Sequence, residues 1–147
     1  MHCRLVAAIS VLLVDDSRDF LRIAARFLEA HEHIAVVGAV DNARDALAEL
    51  PRLRPDIIVI DLEMPEVSGL ETIPQLRAEL PQAGIVALTL LDEDAYRKAA
   101  LDAGADAFVS KDRAAADLLP VVRRVAEARR AGTPLDPRRG VSEERPP

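Results

Sequence analysis

Five short apolar runs, each followed by an amphipathic stretch of helical length, constrain this chain more than any other feature. The runs occupy residues 9–14, 34–40, 56–60 and 84–88, with a shorter one at 105–109. Each is partly β-branched and mostly lacks polar alternation, which is how strands buried on both faces read. Between them, 17–31 sets Phe20, Ile23, Ala24, Phe27 and Leu28 on one helical face, and 42–53 gathers Ala43, Ala46, Leu47 and Leu50. The stretch 69–80 carries Leu70, Ile73, Leu76 and Leu80. Stretches 92–103 and 113–131 complete the set, the last with Leu118, Leu119, Val122, Val125 and Ala126 in one stripe. Ser17, Asn42 and Asp112 stand where N-caps are expected. Pro74 falls beyond the first turn of its helix and predicts a small kink. Strands alternating with helices in this order imply right-handed βαβ crossovers and a parallel sheet covered on both sides.

Five such units fit the α/β, flavodoxin-like (βα)5 architecture, a doubly wound parallel sheet of order 2-1-3-4-5. The reading divides the chain into a lead-in at 1–8, one domain at 9–131 and a tail at 132–147. The tail holds Gly132, Pro134, Pro137, Gly140, Pro146 and Pro147, reads as disordered, and is too short for a helix-turn-helix module. Apolar residues make up 50% of the chain but aromatics only 3%, so the core must be built from Leu, Val, Ile and Ala. With 19 basic and 25 acidic residues the net charge is −6, which argues against direct nucleic-acid binding. No apolar run reaches the roughly 18–20 residues of a membrane span, so no membrane insertion is expected. The apolar stretch 5–14 ends in two aspartates rather than at a small-residue cleavage site. Cys3, the one cysteine, can form neither an internal disulfide nor a Cys-rich zinc site. His2, His31 and His33 lack metal partners at ligand spacing, and the last two are expected to face solvent. A cytoplasmic location is the expectation.

In open parallel sheets, functional groups gather beyond the carboxyl ends of the strands. Asp15 and Asp16 follow the first run, Asp61 the third and Thr89 the fourth, while Lys111 lies two residues beyond the fifth. Asp41 ends the second run, which lies off the switch point. Three carboxylates this close need compensating charge. A divalent cation supplies it, and Mg²⁺ prefers oxygen ligands of this kind. One carboxylate could then attack phosphorus to form an acyl phosphate, with the ammonium and the hydroxyl receiving phosphoryl oxygens. Taken singly, each residue has a plainer role as a strand terminus, a helix cap or a surface lysine. Their shared register at one end of the sheet overturns that.

Val-Asp-Asp-Ser (14–17), Asp-Leu-Glu-Met-Pro (61–65), Leu-Thr (88–89) and Phe-Val-Ser-Lys-Asp (108–112) resemble the receiver domain of two-component response regulators. Ser68-Gly69-Leu70 and Ala103-Gly104-Ala105 sit where that family has its characteristic glycines, and the resemblance covers about residues 9–131. It implies that Asp61 is a phosphoacceptor, assisted by Thr89 and Lys111. It implies that Asp15, Asp16, Asp61 and the backbone carbonyl of Glu63 hold Mg²⁺, and that Phe108 is an aromatic switch following Thr89. The phosphoryl group would come from a sensor histidine kinase or a phosphotransfer protein. The output would be altered protein contacts, with a homodimer or a downstream protein, on the helix-four to helix-five face, where Tyr96, Arg97 and Lys98 stand. Such a domain is not an enzyme beyond assisting its own phosphorylation and dephosphorylation.

Asp112 in place of a proline after Lys111, together with segments 88–96 and 118–126, is similar to receivers of the LuxR/NarL-type branch. The alternative is therefore the receiver half of a DNA-binding transcriptional regulator whose output domain is missing. A haloacid-dehalogenase-like phosphohydrolase fits less well. It needs an aspartate two residues after its nucleophile, where Glu63 and Ser17 stand here. Two positions depart from the broad receiver pattern. Leu90 is bulky and is expected to narrow access to Asp61, and Phe108 lacks the hydroxyl of the commoner tyrosine.

Overall fold

The computed structural model describes residues 8–91 and 93–132. The expected lead-in apart from Ala8, the expected tail apart from Gly132, and His2, Cys3 and Asp92 lie outside them. Five strands, β1 (Ile9–Val14), β2 (Ile34–Val40), β3 (Ile57–Asp61), β4 (Gly84–Thr89) and β5 (Ala107–Ser110), alternate with five helices. These are α1 (Arg18–Glu29), α2 (Ala43–Leu53), α3 (Gly69–Glu79), α4 (Asp94–Ala103) and α5 (Ala114–Ala131). The strands form one parallel sheet in the order β2-β1-β3-β4-β5, as expected.

The three central strands are buried on both faces, which is why their sequences are continuous rather than alternating. Val11, Leu13, Val59, Val86 and Leu88 face α1 and α5, while Leu12, Val14, Ile58, Ile60 and Ile85 face α2, α3 and α4. The edge strand β2 differs. Its register against β1 slips between Val36 and Gly38, leaving Val37 as the extra, exposed residue of a bulge. On α1 the face toward the sheet is Leu21, Ala24 and Leu28, and Ile23 is 63% exposed rather than in the core. The expected stripe was rotated because it followed the aromatics, Phe20 and Phe27, which only partly bury at its border. His31 is likewise half-buried rather than solvent-facing, with Nδ1 3.0 Å from the Phe27 carbonyl.

Ser17 and Asn42 cap α1 and α2 as expected, accepting from the Phe20 and Asp45 N–H groups. Asp112 does not cap α5. It sits inside a 3₁₀ turn, Lys111–Arg113, that precedes the helix. Ser68, unassigned from sequence, caps α3 through the Glu71 N–H at 3.1 Å. α3 runs on through Pro74, as α2 and α5 do through Pro51 and Pro120. All three prolines are exposed, so solvent can satisfy the carbonyl each one orphans.

Strands β3 and β5 begin one and two residues later than their apolar runs, and an aspartate side chain adds to the main-chain bonds just before each. Asp56 Oδ2 accepts from the Ser10 N–H at 2.9 Å and its hydroxyl at 3.1 Å, and Arg130 reaches it at 3.2 Å. Asp106 Oδ2 accepts from the Ile85 N–H and from Arg77, both at 2.9 Å, while Oδ1 pairs with Arg129. Arg77 also donates to the Gly104 carbonyl at 2.8 Å, tying α3, β4, β5 and α5 together at the amino end of the sheet. Among the described residues, Asp106→Ala removes the only carboxylate against two half-buried guanidinium groups, which keep just carbonyl partners, and leaves the Ile85 N–H without its acceptor. It is expected to lower unfolding stability by about 3 kcal/mol in urea denaturation. A loss below about 0.5 kcal/mol would mean that the cluster behaves as an ordinary surface ion pair.

Candidate functional site

The carboxyl ends of β1, β3, β4 and β5 bring five of the sequence-selected side chains together. Asp15 follows β1 and is 1% exposed; Asp61 ends β3 and is 2% exposed. Lys111 leaves the 3₁₀ turn after β5, with its Nζ 2.7 Å from Asp15 Oδ2 and 3.5 Å from Asp61 Oδ2. Nζ also sits 4.7 Å from the centre of the Phe20 ring, so the aromatic forms one wall for the ammonium. Backbone donors take the other carboxylate oxygens. The Ser17 N–H donates to Asp15 Oδ1 at 2.9 Å, and the Glu63 N–H to Asp61 Oδ1 at 3.0 Å. Gly69 allows this packing, because a Cβ there would lie 2.0 Å from the Asp61 carbonyl oxygen.

Burial pushes the Asp61 carboxyl up to about 7, reinforced by the charges of Asp15 and Glu63 and opposed by the Glu63 N–H and Lys111. For Lys111, burial works against the charge, but the close Asp15 carboxylate and the negative charge of Asp61 outweigh that and hold it above its ordinary value.

Asp16 is exposed, yet one carboxylate oxygen from each of Asp15, Asp16 and Asp61 falls within a group whose members are all within 4.8 Å of one another. Among the described residues, Asp15 Oδ2 is buried with no hydrogen bond of acceptable geometry, leaving only its ion pair with Lys111. An all-oxygen donor set with an unsatisfied buried anion fits a hard divalent cation, so the cluster could hold a metal ion.

Thr89 is fully buried at the end of β4, and its hydroxyl accepts from the Leu91 N–H at 2.9 Å and donates to Glu63 Oε2. The other Glu63 oxygen accepts from the Leu90 N–H at 3.2 Å. The family resemblance gives Glu63 a role through its backbone carbonyl; its N–H and its carboxylate also make hydrogen bonds in the site. Leu90 was selected for its bulk. Its side chain is 59% exposed, and its N–H is the group that engages the site. The signal that could have found this pairing is an acid two residues beyond Asp61, facing the loop after Thr89. Phe108 stands apart from the carboxylates. It is buried in the layer beneath α4, and the Arg97 guanidinium lies 4.8 Å from its ring centre. Among the described residues, no helix is long and apolar enough to cross a membrane.

A carboxyl pushed up in the folded chain contributes stability that is fully present below its unfolded value of about 3.8 and is lost as pH rises through about 7. Asp61→Asn, which mimics the neutral form, is therefore expected to melt higher than the parent at pH 8 in chelator, with the gap narrowing at pH 5. A gap that does not change with pH would contradict the raised value.

Residues 11–123 match the response regulator receiver domain family. The response regulator protein VraR of Staphylococcus epidermidis is 37% identical over 121 residues, covering 82% of this chain and 57% of that protein. The chain thus spans a little over half the length of the curated relatives it matches. Among solved structures, the signal receiver domain of the putative response regulator NarL from Mycobacterium tuberculosis superposes with a TM-score of 0.77. Identity is 28%, covering 83% of this chain and 98% of that one. The isolated receiver domain of RcsB from Salmonella enterica serovar Typhimurium, determined with the phosphomimetic BeF3−, gives a TM-score of 0.73. Identity there is 26%, covering 88% of this chain and 94% of that one. This chain belongs to the response regulator receiver domain family of two-component signalling.

Proposed function

We propose that Asp61 is the phosphoacceptor of this receiver and that its phosphorylation changes which proteins the domain contacts. The observation that carries the reading is the convergence of a buried Asp61 carboxylate with the Lys111 ammonium and the Asp15 carboxylate at one end of the sheet. A carboxylate oxygen of Asp61 attacks phosphorus, the bond from phosphorus to the donor atom breaks, and the leaving group keeps that electron pair. With a histidine kinase or phosphotransfer protein the leaving group is an imidazole; with acetyl phosphate it is acetate. Lys111 neutralises charge as it builds on the phosphoryl oxygens, and the Thr89 hydroxyl and Leu90 N–H at the end of β4 are assigned to donate to them.

Asp15, Asp16, Asp61 and the Glu63 backbone carbonyl are proposed to hold Mg²⁺, whose charge offsets that of the carboxylates and the phosphoryl group. The Ser17 and Glu63 N–H groups each hold one oxygen of Asp15 and Asp61 and so orient the two carboxylates. Phe108 is proposed to respond to Thr89 by repacking beneath α4, with the altered surface lying on the α4–α5 face and available to a downstream protein or a second copy. The reading includes no turnover of a metabolite, only assistance to the domain's own phosphorylation and dephosphorylation, and a cytoplasmic location.

Acetyl phosphate with Mg²⁺ is expected to give a single phosphoryl adduct by intact mass, mapped to Asp61 and missing from Asp61→Asn. Lys111→Ala is expected to slow adduct formation on the order of a hundredfold. An adduct that persists in Asp61→Asn, or none on the parent chain, would overturn the reading.

A further inference from the structure

The two donors assigned to receive the phosphoryl group are already occupied. Thr89 Oγ1 and the Leu90 N–H both bond to the carboxylate of Glu63, one to each oxygen. A carboxylate presenting two oxygens to these donors does what two phosphoryl oxygens would do there. Glu63 is also tied to the acceptor itself, since its N–H donates to Asp61 Oδ1 at 3.0 Å. One residue therefore spans from the nucleophile on β3 to the receiving groups on β4.

We propose that the Glu63 side chain is an internal competitor for the phosphoryl group, a latch that holds the Thr89–Leu91 segment in its resting arrangement and sets the rate of phosphotransfer to Asp61. The proposal rests on the phosphoacceptor reading above and assigns a regulator to that site. Two features of the chain support it. Thr89 is fully buried, so its hydroxyl cannot turn to water when it changes partner, and it must exchange the carboxylate for another acceptor. Leu90 and Leu91 are about half exposed, so little packing holds their loop and the Glu63 bonds are a large share of what orders it. A dianionic group arriving on Asp61 would repel the carboxylate and offer Thr89 and Leu90 replacement acceptors, so the same event opens the latch and fills the vacated donors. Glu63 acts here through Thr89 and Leu90 and is a positioning residue.

The test follows adduct formation from acetyl phosphate with Mg²⁺ across Glu63→Ala, Glu63→Gln and the parent, each also in a Thr89→Val background, together with the ¹⁵N NMR exchange protection of the Leu90 amide. Glu63→Ala is expected to speed the reaction about tenfold, the size of one charge-assisted hydrogen bond released. Glu63→Gln, which keeps an acceptor oxygen but no charge, is expected to fall between. The gain should shrink to about twofold or less beside Thr89→Val, and Leu90 amide protection should drop in Glu63→Ala. A gain of equal size in both backgrounds that fades with added salt would mean simple repulsion of the donor and would overturn the latch. Equal rates in parent and Glu63→Ala would overturn the latch while leaving Asp61 as the acceptor. Absence of an adduct on every protein would overturn both readings together.

Discussion

The Lys111 ammonium stands between two buried carboxylates, and the carboxyl end of the sheet is arranged around that contact. Asp15 and Asp61 leave neighbouring central strands, so the register of β1 on β3 fixes their separation before any side chain is considered. Burying two such anions is costly unless charge and hydrogen bonds replace the lost water. Lys111 supplies one positive charge for both, and the Ser17 and Glu63 N–H groups each satisfy one oxygen. The remainder is visible in Asp61, whose proton is held to about neutral pH, and in Asp15 Oδ2, which has the lysine but no well-formed hydrogen bond. One more negative charge on Asp61 cannot be added to this arrangement without added positive charge or a rearrangement of the acids around it.

The opposite end of the same sheet carries the same residue type under opposite conditions. Asp56 and Asp106 also stand at strand termini, but each accepts from a main-chain N–H and from at least one guanidinium group of a neighbouring element. Those aspartates close the fold. The two ends differ in the partners of their aspartates: arginines and ladder donors at one, a shared lysine and an oxygen without a hydrogen bond at the other. The proposed chemistry is assigned to the end where the local rule of full satisfaction is relaxed.

The fold was legible because a strand covered on both faces must be nearly continuously apolar, and β1, β3 and β4 obey this apart from Ser10 and the residues that end β3 and β4, Asp61 and Thr89. What failed to read was set by tertiary contact. Ile23 looked like core because it shares a period with Phe20 and Phe27, yet the sheet meets α1 along Leu21, Ala24 and Leu28. The β2 bulge at Val37 depends on pairing with β1, which no local pattern encodes. Asp112 had the composition of a cap but fell inside a 3₁₀ turn, one residue away from the position that could use it. In the site, the strand-end residues were legible from position alone. The Glu63 carboxylate was not, because its partners lie on another loop 26 and 27 residues away, and the approach of the two loops is a product of the finished sheet.

That loop-to-loop contact bears on how a change at Asp61 could travel. If Phe108 is to follow Thr89, the two must be coupled through packed groups with more than one arrangement, since a close-packed core does not deform continuously. Thr89 and Phe108 lie on adjacent strands, with Phe108 paired to Ala87 and Thr89 to Ser110, so the two stand two residue pairs apart in the ladder. Phe108 in turn carries Arg97 of α4 over its ring, a contact worth about 1 kcal/mol that any ring rotation must give up or replace. Glu63 holds the first of these groups and Arg97 covers the last. The resting arrangement is thus clamped at both ends by ionic side chains, each on the surface side of a buried neutral one. Under the proposed reading, charge placed on Asp61 would act first on the Glu63 contact, and the Arg97 contact would yield only if the Phe108 ring beneath it moved.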